Sequence, residues 1–250
     1  MNKTLSESMR MGALEPIITE AMSTLEDERV MRRIWARDYT VWKPEPDEVA
    51  NRLGWLDIME ATAQALPRIE KWVDTVRAEG YTKVVWMGMG GSSLAPDVLS
   101  RTFDAAEGYL DLRVLDSTDP GAVKAHADWV EWDRTLFVVA TKSGSTAETL
   151  SFFKYFYNEA LGRMEADEVG QHFVAVTDGG SKLHTLGEEL GFRKIFLNDP
   201  NIGGRFSVLS YFGMVAAALL GVDVRTLLDR ARQMAEVCGP GTPVTENPGV

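Results

Sequence analysis

From about Leu14 to Ala78 apolar residues recur three and four positions apart, as in Val49, Leu53 and Leu56 and, beyond Pro67, in Ile69, Trp72, Val73 and Val76. That spacing lines one face of a 3.6-residue helix, and it predicts a helical lead-in over residues 1–80. Trp35, Trp42, Trp55 and Trp72 fall within it and are expected to pack in the core rather than line a ligand. After Gly80 the texture changes. Short β-rich apolar runs are each followed by a Gly, Ser or Asp cluster and then by a helical stretch, the alternation of a βαβ chain. The strands predicted are Lys83–Met87, Leu112–Leu115, Leu136–Ala140, His172–Val176 and Lys194–Leu197. Helices are predicted at about Leu94–Phe103, Gly121–Trp129, Ala147–Leu161, Leu183–Leu190 and Val208–Leu220. Strands that are apolar almost throughout suit a parallel sheet covered on both faces. The expected fold is therefore α/β: a doubly wound, five-stranded parallel sheet over residues 81–236 behind the lead-in, with 237–250 as a linker. Asn247 and Pro248 look like an N-cap and first-turn proline, so a further helix is expected downstream.

Composition narrows the choice of partners. The 250 residues are 45% hydrophobic, enough for a sizeable core, and carry a net charge of −11. With a pI near 4.8, the average field repels nucleic acid and anionic membranes, so neither is expected as a partner. Any bound anion must be held by local groups. Cys238 is the sole cysteine, which excludes an internal disulfide and suits a reducing, cytoplasmic setting. Lys3, Glu7, Arg10 and Glu15 break the first twenty residues, leaving no apolar stretch of signal-peptide length. The longest apolar run, Tyr211 to Val222, falls short of the roughly 20 residues a membrane span needs.

In a sheet of this type ligands bind outside the carboxyl ends of the strands, which directs attention to the loops that follow them. After the first strand comes Gly88-Met89-Gly90-Gly91-Ser92-Ser93, running straight into a helix. Glycines let the backbone approach an anion, and the helix start presents free N–H groups to it. A dinucleotide fingerprint competes, with Asp116 for a ribose, but Ser93 stands where its third glycine belongs. No nucleotide P-loop motif occurs. After the third strand, Thr141-Lys142-Ser143-Gly144-Ser145-Thr146-Ala147-Glu148-Thr149 concentrates hydroxyls and a lysine at a strand-to-helix turn. Side-chain O–H groups, backbone N–H groups and the helix dipole then converge, as a phosphate monoester requires. The competing account is a capping box, with Ser145 as N-cap and Glu148 three residues on. After the fifth strand, Gly203-Gly204-Arg205-Phe206-Ser207 lets a guanidinium project into the same mouth, unless Arg205 is merely tied to Asp199. The loop after the fourth strand, Thr177 to Lys182, is expected to be structural.

Together these loops resemble the sugar isomerase domains, whose hydroxyl-rich loop reads S-G-x-T-x-E-T, matched by Ser143 to Thr149. More narrowly the chain resembles the first half of the glucose-6-phosphate isomerases, on Gly88–Ser92 with Ser93-Leu94-Ala95-Pro96, on Lys142–Thr149 and on Gly203–Ser207. Arg33-Ile34-Trp35-Ala36-Arg37-Asp38 through Trp42, with Arg52-Leu53-Gly54-Trp55-Leu56, resembles bacterial members, some of them fused to transaldolase. Gly144 replaces a bulky residue common in the isomerases, and Tyr211-Phe212 departs from the small residues usual there.

The resemblance implies binding of glucose 6-phosphate and fructose 6-phosphate and their interconversion, without metal or cofactor. It implies that Thr141, Lys142, Ser143, Ser145, Thr146 and Thr149 hold the phosphate, with Gly91 and Ser92 near the sugar. Arg205 would be the catalytic cation beside the enediolate, and Glu148 a positioning residue. The family's glutamate base, with an assisting histidine and lysine, would lie beyond Val250. His126, His172 and His184 are each expected to be structural. The family's sites form near subunit contacts, in keeping with a homodimer. A non-catalytic sugar-phosphate-binding module, complete as it stands, is the alternative.

Overall fold

The computed structural model describes residues 11–250. The first ten positions of the predicted lead-in, with Lys3, Glu7 and Arg10, lie outside the described residues. Two compact units are present, one made of residues 11–50 and 232–250, the other of 51–231. In the first, α1 (Glu15–Asp27) and α2 (Val30–Trp35) form the lead-in's helices. Within this unit the Trp35 indole donates to the Cys238 carbonyl at 2.8 Å.

The second unit begins with α3 (Ile58–Ala78) and continues β1 (Lys83–Gly88), α4 (Gly91–Thr102), β2 (Asp111–Leu115), α5 (Pro120–Trp129), β3 (Thr135–Ala140) and α6 (Ala147–Leu161). It closes with β4 (Phe173–Asp178), α7 (Lys182–Glu189), β5 (Lys194–Asn198), α8 (Tyr211–Leu220) and α9, whose span Val224–Val237 runs past the unit's last residue. The five strands form one parallel sheet in the order β2-β1-β3-β4-β5. The chain runs outward from β1 to β2, then returns past β1 to β3, so strand order reverses between β1 and β3. Apolar residues at alternate strand positions feed two cores. Val84, Trp86, Val138, Val174 and Phe196 meet α3, α4, α8 and α9, whereas Val85, Met87, Phe137, Val139 and Phe173 meet α6 and α7. Both faces are covered, which is why the strands read as nearly continuous apolar runs.

Several element ends differ from the sequence expectation, each for a local reason. α4 starts at Gly91, not Leu94, because Gly91, Ser92 and Ser93 supply its first turn. α8 starts at Tyr211, not Val208, because Ser210 caps it by accepting from the Phe212 N–H at 3.3 Å, after a Ser207–Ser210 turn. β4 starts at Phe173, since His172 closes a short 3-10 turn. The helix expected downstream of Asn247 and Pro248 would lie outside the described residues, within which the Asn247 side chain binds the Cys238 carbonyl and the Gly249 N–H. α9 was not predicted, its charged residues masking the apolar spacing of Val224, Leu227 and Leu228.

Of the four lead-in tryptophans, Trp72 packs against the core as expected, whereas Trp35, Trp42 and Trp55 do not join it, contrary to expectation. Trp42 is 47% exposed, and Trp35, Trp55 and Trp72 are half-buried, Trp55 stacking on Phe206 and Trp72 meeting Phe196 edge-on. An indole is too large to bury fully except between covered layers, where Trp86 lies. No helix among the described residues is long and apolar enough to cross a membrane.

Candidate functional site

β1 and β3 lie side by side, so the glycine loop and the hydroxyl loop leave the sheet from adjacent strands at the point where strand order reverses. Gly88 ends β1 where a Cβ would come within 3.0 Å of the Ser92 carbonyl and 3.2 Å of the Ala140 carbonyl. Gly90 follows with φ of +52°, a conformation an L side chain rarely adopts, and α4 begins at once. Ser93 folds back to donate to the Gly90 carbonyl at 3.0 Å. The neighbouring Ser92 is buried, and its hydroxyl makes no hydrogen bond among the described residues.

The loop after β5 crosses back to this turn. A Cβ on Gly91 would sit 2.3 Å from the Gly204 carbonyl carbon, so the two backbones touch and only glycine fits at 91. Ser207 fastens the contact, donating to the Gly204 carbonyl at 2.6 Å and lying 3.3 Å from that of Gly91. Arg205, one residue beyond, is thereby fixed beside the first turn of α4. Its side chain is exposed and unpaired among the described residues; Asp199 accepts instead from the N–H and amide of Asn201, at 2.8 and 3.1 Å. The competing Asp199 tie is absent.

The hydroxyl loop is arranged as two pairs. Thr141 and Thr146 hydroxyls lie 3.0 Å apart, and Ser143 and Ser145 hydroxyls 2.9 Å apart. In each pair one proton is used between the partners and one remains, so the loop keeps two O–H donors for an outside acceptor. The N-cap of α6 is Thr146 rather than Ser145, and its side chain makes no capping bond, which removes the capping-box account of these hydroxyls. The first intrahelical bond is from Leu150 N–H to the Thr146 carbonyl, leaving the N–H groups of Ala147, Glu148 and Thr149 without an intrahelical acceptor. Thr149 is fully buried with an unpartnered hydroxyl, whereas Glu148 is exposed. Gly144 takes φ of +68° with its α-carbon against α7, where a Cβ would lie 2.5 Å from the Leu183 nitrogen. A bulky residue cannot occupy this loop shape.

Lys142 is not free. Its ammonium lies 2.5 Å from Asp178 Oδ2 and 2.6 Å from the Pro200 carbonyl, joining the loops after β3, β4 and β5. Thr177 strengthens the seam, its hydroxyl donating to the Thr141 carbonyl at 2.7 Å. Burial pushes the Asp178 carboxyl above its ordinary value, against the opposing pull of Lys142 and Arg52. The loop after β4, read as merely structural, is thus what holds the hydroxyl loop in place.

The three histidines are engaged away from the glycine, hydroxyl and arginine loops. His126 has ring nitrogens 2.8 and 3.1 Å from the Ala122 and Val114 carbonyls. His172 contacts the Thr135 carbonyl at 3.2 Å, and burial lowers its pKa. His184 accepts from the Gly180 N–H and faces Glu188. Sequence reasoning missed two participants. Arg52 acts electrostatically on Asp178 and lies beside Gly203, and Gly54 donates to the Asn201 carbonyl at 2.9 Å, pinning the arginine loop from α3's side. Only a pairing of residues about 150 positions apart, Leu53 with Ile202, could have announced them. A cavity of about 450 Å³ between α5 and α6, lined by Val123, Phe152 and Tyr155, touches none of the residues above.

The family model for phosphoglucose isomerase matches residues 39–247. A glucose-6-phosphate isomerase of Campylobacter jejuni is 31% identical over 76% of this chain and 46% of its own length. That of Acaryochloris marina is 33% identical over 90% of this chain and 42% of its own. The chain thus spans less than half the length of these relatives. Among solved structures, a hypothetical protein of Thermus thermophilus superposes with a TM-score of 0.78 at 29% identity, covering 93% of this chain and 53% of that one. A glucose-6-phosphate isomerase of Chlamydia trachomatis shares the fold, with a TM-score of 0.64 at 23% identity over 88% of this chain and 40% of that one. With the glycine turn, the hydroxyl loop and the arginine loop assembled over one switch point, and a family match running from Tyr39 to Asn247, the chain belongs to the phosphoglucose isomerase family.

Proposed function

We propose that this chain is the substrate-binding part of a glucose-6-phosphate isomerase, holding the phosphate of glucose 6-phosphate or fructose 6-phosphate on the hydroxyl loop. The observation that carries this reading is the pair of hydroxyl pairs, Thr141 with Thr146 and Ser143 with Ser145, set before the open N-terminus of α6. Two O–H donors and the first-turn N–H groups suit three phosphate oxygens, and the helix dipole adds favourable charge. Thr149 would complete its unsatisfied hydroxyl through the same anion. Ser92 and the Gly91 turn would face the sugar. Lys142 would act by holding the loop's shape through Asp178, and Glu148 would orient the ligand rather than accept a proton, since a carboxylate beside a bound phosphate is a poor base.

Isomerisation moves a proton between neighbouring carbons through an enediolate. Arg205, exposed and without a competing carboxylate, would stabilise the oxygen on which that charge develops. The general base would come from outside these 250 residues. Residues 81–236 would form the phosphosugar-binding domain, covered by α3. Exposed Leu94, Val98, Phe206 and Val208 beside the site would pack against a second copy in a homodimer. A net charge of −11 argues against nucleic acid and anionic membranes as partners, and a cytoplasmic setting would suit the lone Cys238.

Calorimetry with fructose 6-phosphate and with free fructose tests the reading: the phosphorylated sugar should bind and free fructose should not. Equal affinity for both would refute the phosphate assignment. Solvent deuterium exchange at C2, followed by NMR, should be absent for the chain as given. Robust exchange would put a base within it and make Glu148 the first candidate.

A further inference from the structure

A cavity of about 260 Å³ lies on the far side of the arginine loop, between α3, the carboxyl end of β5 and the start of α8. Ile58, Ala65, Ile69 and Met214 give it an apolar wall. Side chains alternate along β5, so Asn198 points to the same sheet face as Phe196, which meets Trp72 of α3 and Tyr211 of α8 at 5.1 and 5.3 Å between ring centres. Asn198 therefore points between these two helices, into the cavity. It is only 5% exposed, and its carbonyl oxygen Oδ1 has no hydrogen-bond partner. The amide is not free to turn over, because Nδ2 donates to the Asp199 carbonyl at 3.2 Å and an oxygen there could not.

A buried acceptor left unsatisfied is unfavourable unless something donates to it. Thr62, Ser210 and Asp199 of the lining also offer acceptors to a visitor. The Thr62 proton is committed to the Leu209 carbonyl at 2.5 Å and the Ser210 proton to the Ser207 carbonyl at 2.7 Å, so Thr62 presents its lone pairs and Ser210 the one not taken by the Phe212 N–H. Asp199 uses Oδ1 for Asn201 and keeps Oδ2. Tyr211 adds an aromatic wall of the kind that attracts cations. Acceptors, a carboxylate, an aromatic ring and an apolar floor together select a donor-bearing cation on a short hydrocarbon stem.

We propose that this cavity is a second ligand site, separate from the phosphate loop, which takes a compact primary alkylammonium with Asn198 Oδ1 as its hydrogen-bond acceptor. The same chemistry could arrive as a free small amine or as a lysine side chain. The site does not depend on the phosphate-binding reading, since none of its lining residues belongs to the hydroxyl loop.

The test follows the Asn198 side-chain amide by NMR in isotopically labelled protein at constant ionic strength. It is titrated with n-butylammonium, Nα-acetyl-lysine amide, butanol and butyrate. Butylammonium or the lysine amide should shift that amide saturably, butanol should bind about tenfold more weakly, and butyrate should not bind. A stronger response to the lysine amide assigns the site to a polypeptide partner, and a stronger response to butylammonium to a free amine. Asn198→Leu, followed on the neighbouring Asp199 backbone amide because the reporting side chain is gone, should abolish saturation, and Ala61→Phe, which closes the cavity mouth from an exposed position, should do the same if the first variant fails to fold. No saturable shift, an equal response to butanol, or a crystal structure with only an ordered water on Asn198 Oδ1 after an amine soak would overturn the proposal. Fructose 6-phosphate should leave the amine titration unchanged, so failure here is distinct from failure of the phosphate assignment.

Discussion

Gly91 and Gly204, 113 positions apart in the sequence, lie backbone to backbone, and this contact sets Arg205 beside the start of α4. The relation is unequal. A Cβ on Gly91 would fall 2.3 Å from a backbone carbon, whereas one on Gly204 would lie 3.3 Å from its nearest neighbour. Gly91→Ala should therefore cost about 1–3 kcal/mol and displace the arginine loop. Gly204→Ala should cost markedly less, and Gly90→Ala, with open space around it, only the strain of its positive φ. Denaturant unfolding of the three variants checks the order; similar losses for Gly91 and Gly204 would contradict it.

Ser145 and Thr146 each belong to a hydroxyl pair, and neither side chain caps α6. Replacing both by alanine should weaken fructose 6-phosphate binding by roughly 1.5–3 kcal/mol for each donor lost to a charged group. The melting temperature should hardly move. A large fall in melting temperature with binding preserved would return these residues to a structural role.

Arg205 is exposed, so its removal should leave the fold intact. In the full-length enzyme Arg205→Ala should lower kcat far more than it raises KM, because the interaction strengthens as the enediolate forms. A rise in KM alone would show that it only holds substrate.

Lys142 and Asp178 form a largely buried pair, with 22% and 14% of their side chains exposed. Lys142→Met leaves the carboxylate without its cation and should destabilise by about 2 kcal/mol, less than for a wholly dry pair because some solvent reaches it. Pairing the change with Asp178→Asn should recover part of the loss. Equal melting temperatures for wild type and Lys142→Met would show that the pair does not hold the loops together.

His172 is pressed against Tyr81, with ring centres 5.3 Å apart, and burial lowers its pKa below the ordinary value of 6.5. The unfolded chain then binds the proton more readily, so this group's contribution to stability is present above about pH 6.5 and is lost as pH falls below it. The melting temperature should drop between about pH 7 and 5, and His172→Gln should flatten that drop. Parallel pH curves for the two proteins would assign the loss to other groups.

Alternation of apolar runs with glycine and hydroxyl clusters was enough to determine the five strands, the parallel doubly wound sheet and the three loops at its carboxyl edge. Those features depend on residues near one another in the chain, whose periodicity and turn chemistry are local. α6 begins and ends where its sequence places it, Ala147–Leu161, since a hydroxyl turn and a uniform apolar stripe bound it. Tertiary structure alone decided the rest. That Lys142 serves Asp178 and Pro200, that Gly91 must admit Gly204, and that Arg52 and Gly54 reach the arginine loop are consequences of contacts between distant segments. Such contacts leave no period in the sequence. Trp35, Trp42 and Trp55 failed as core residues, while Trp72 reached the core, for the same reason: the size of an indole is written in the sequence, but whether two covered layers close around it is settled only when the layers pack.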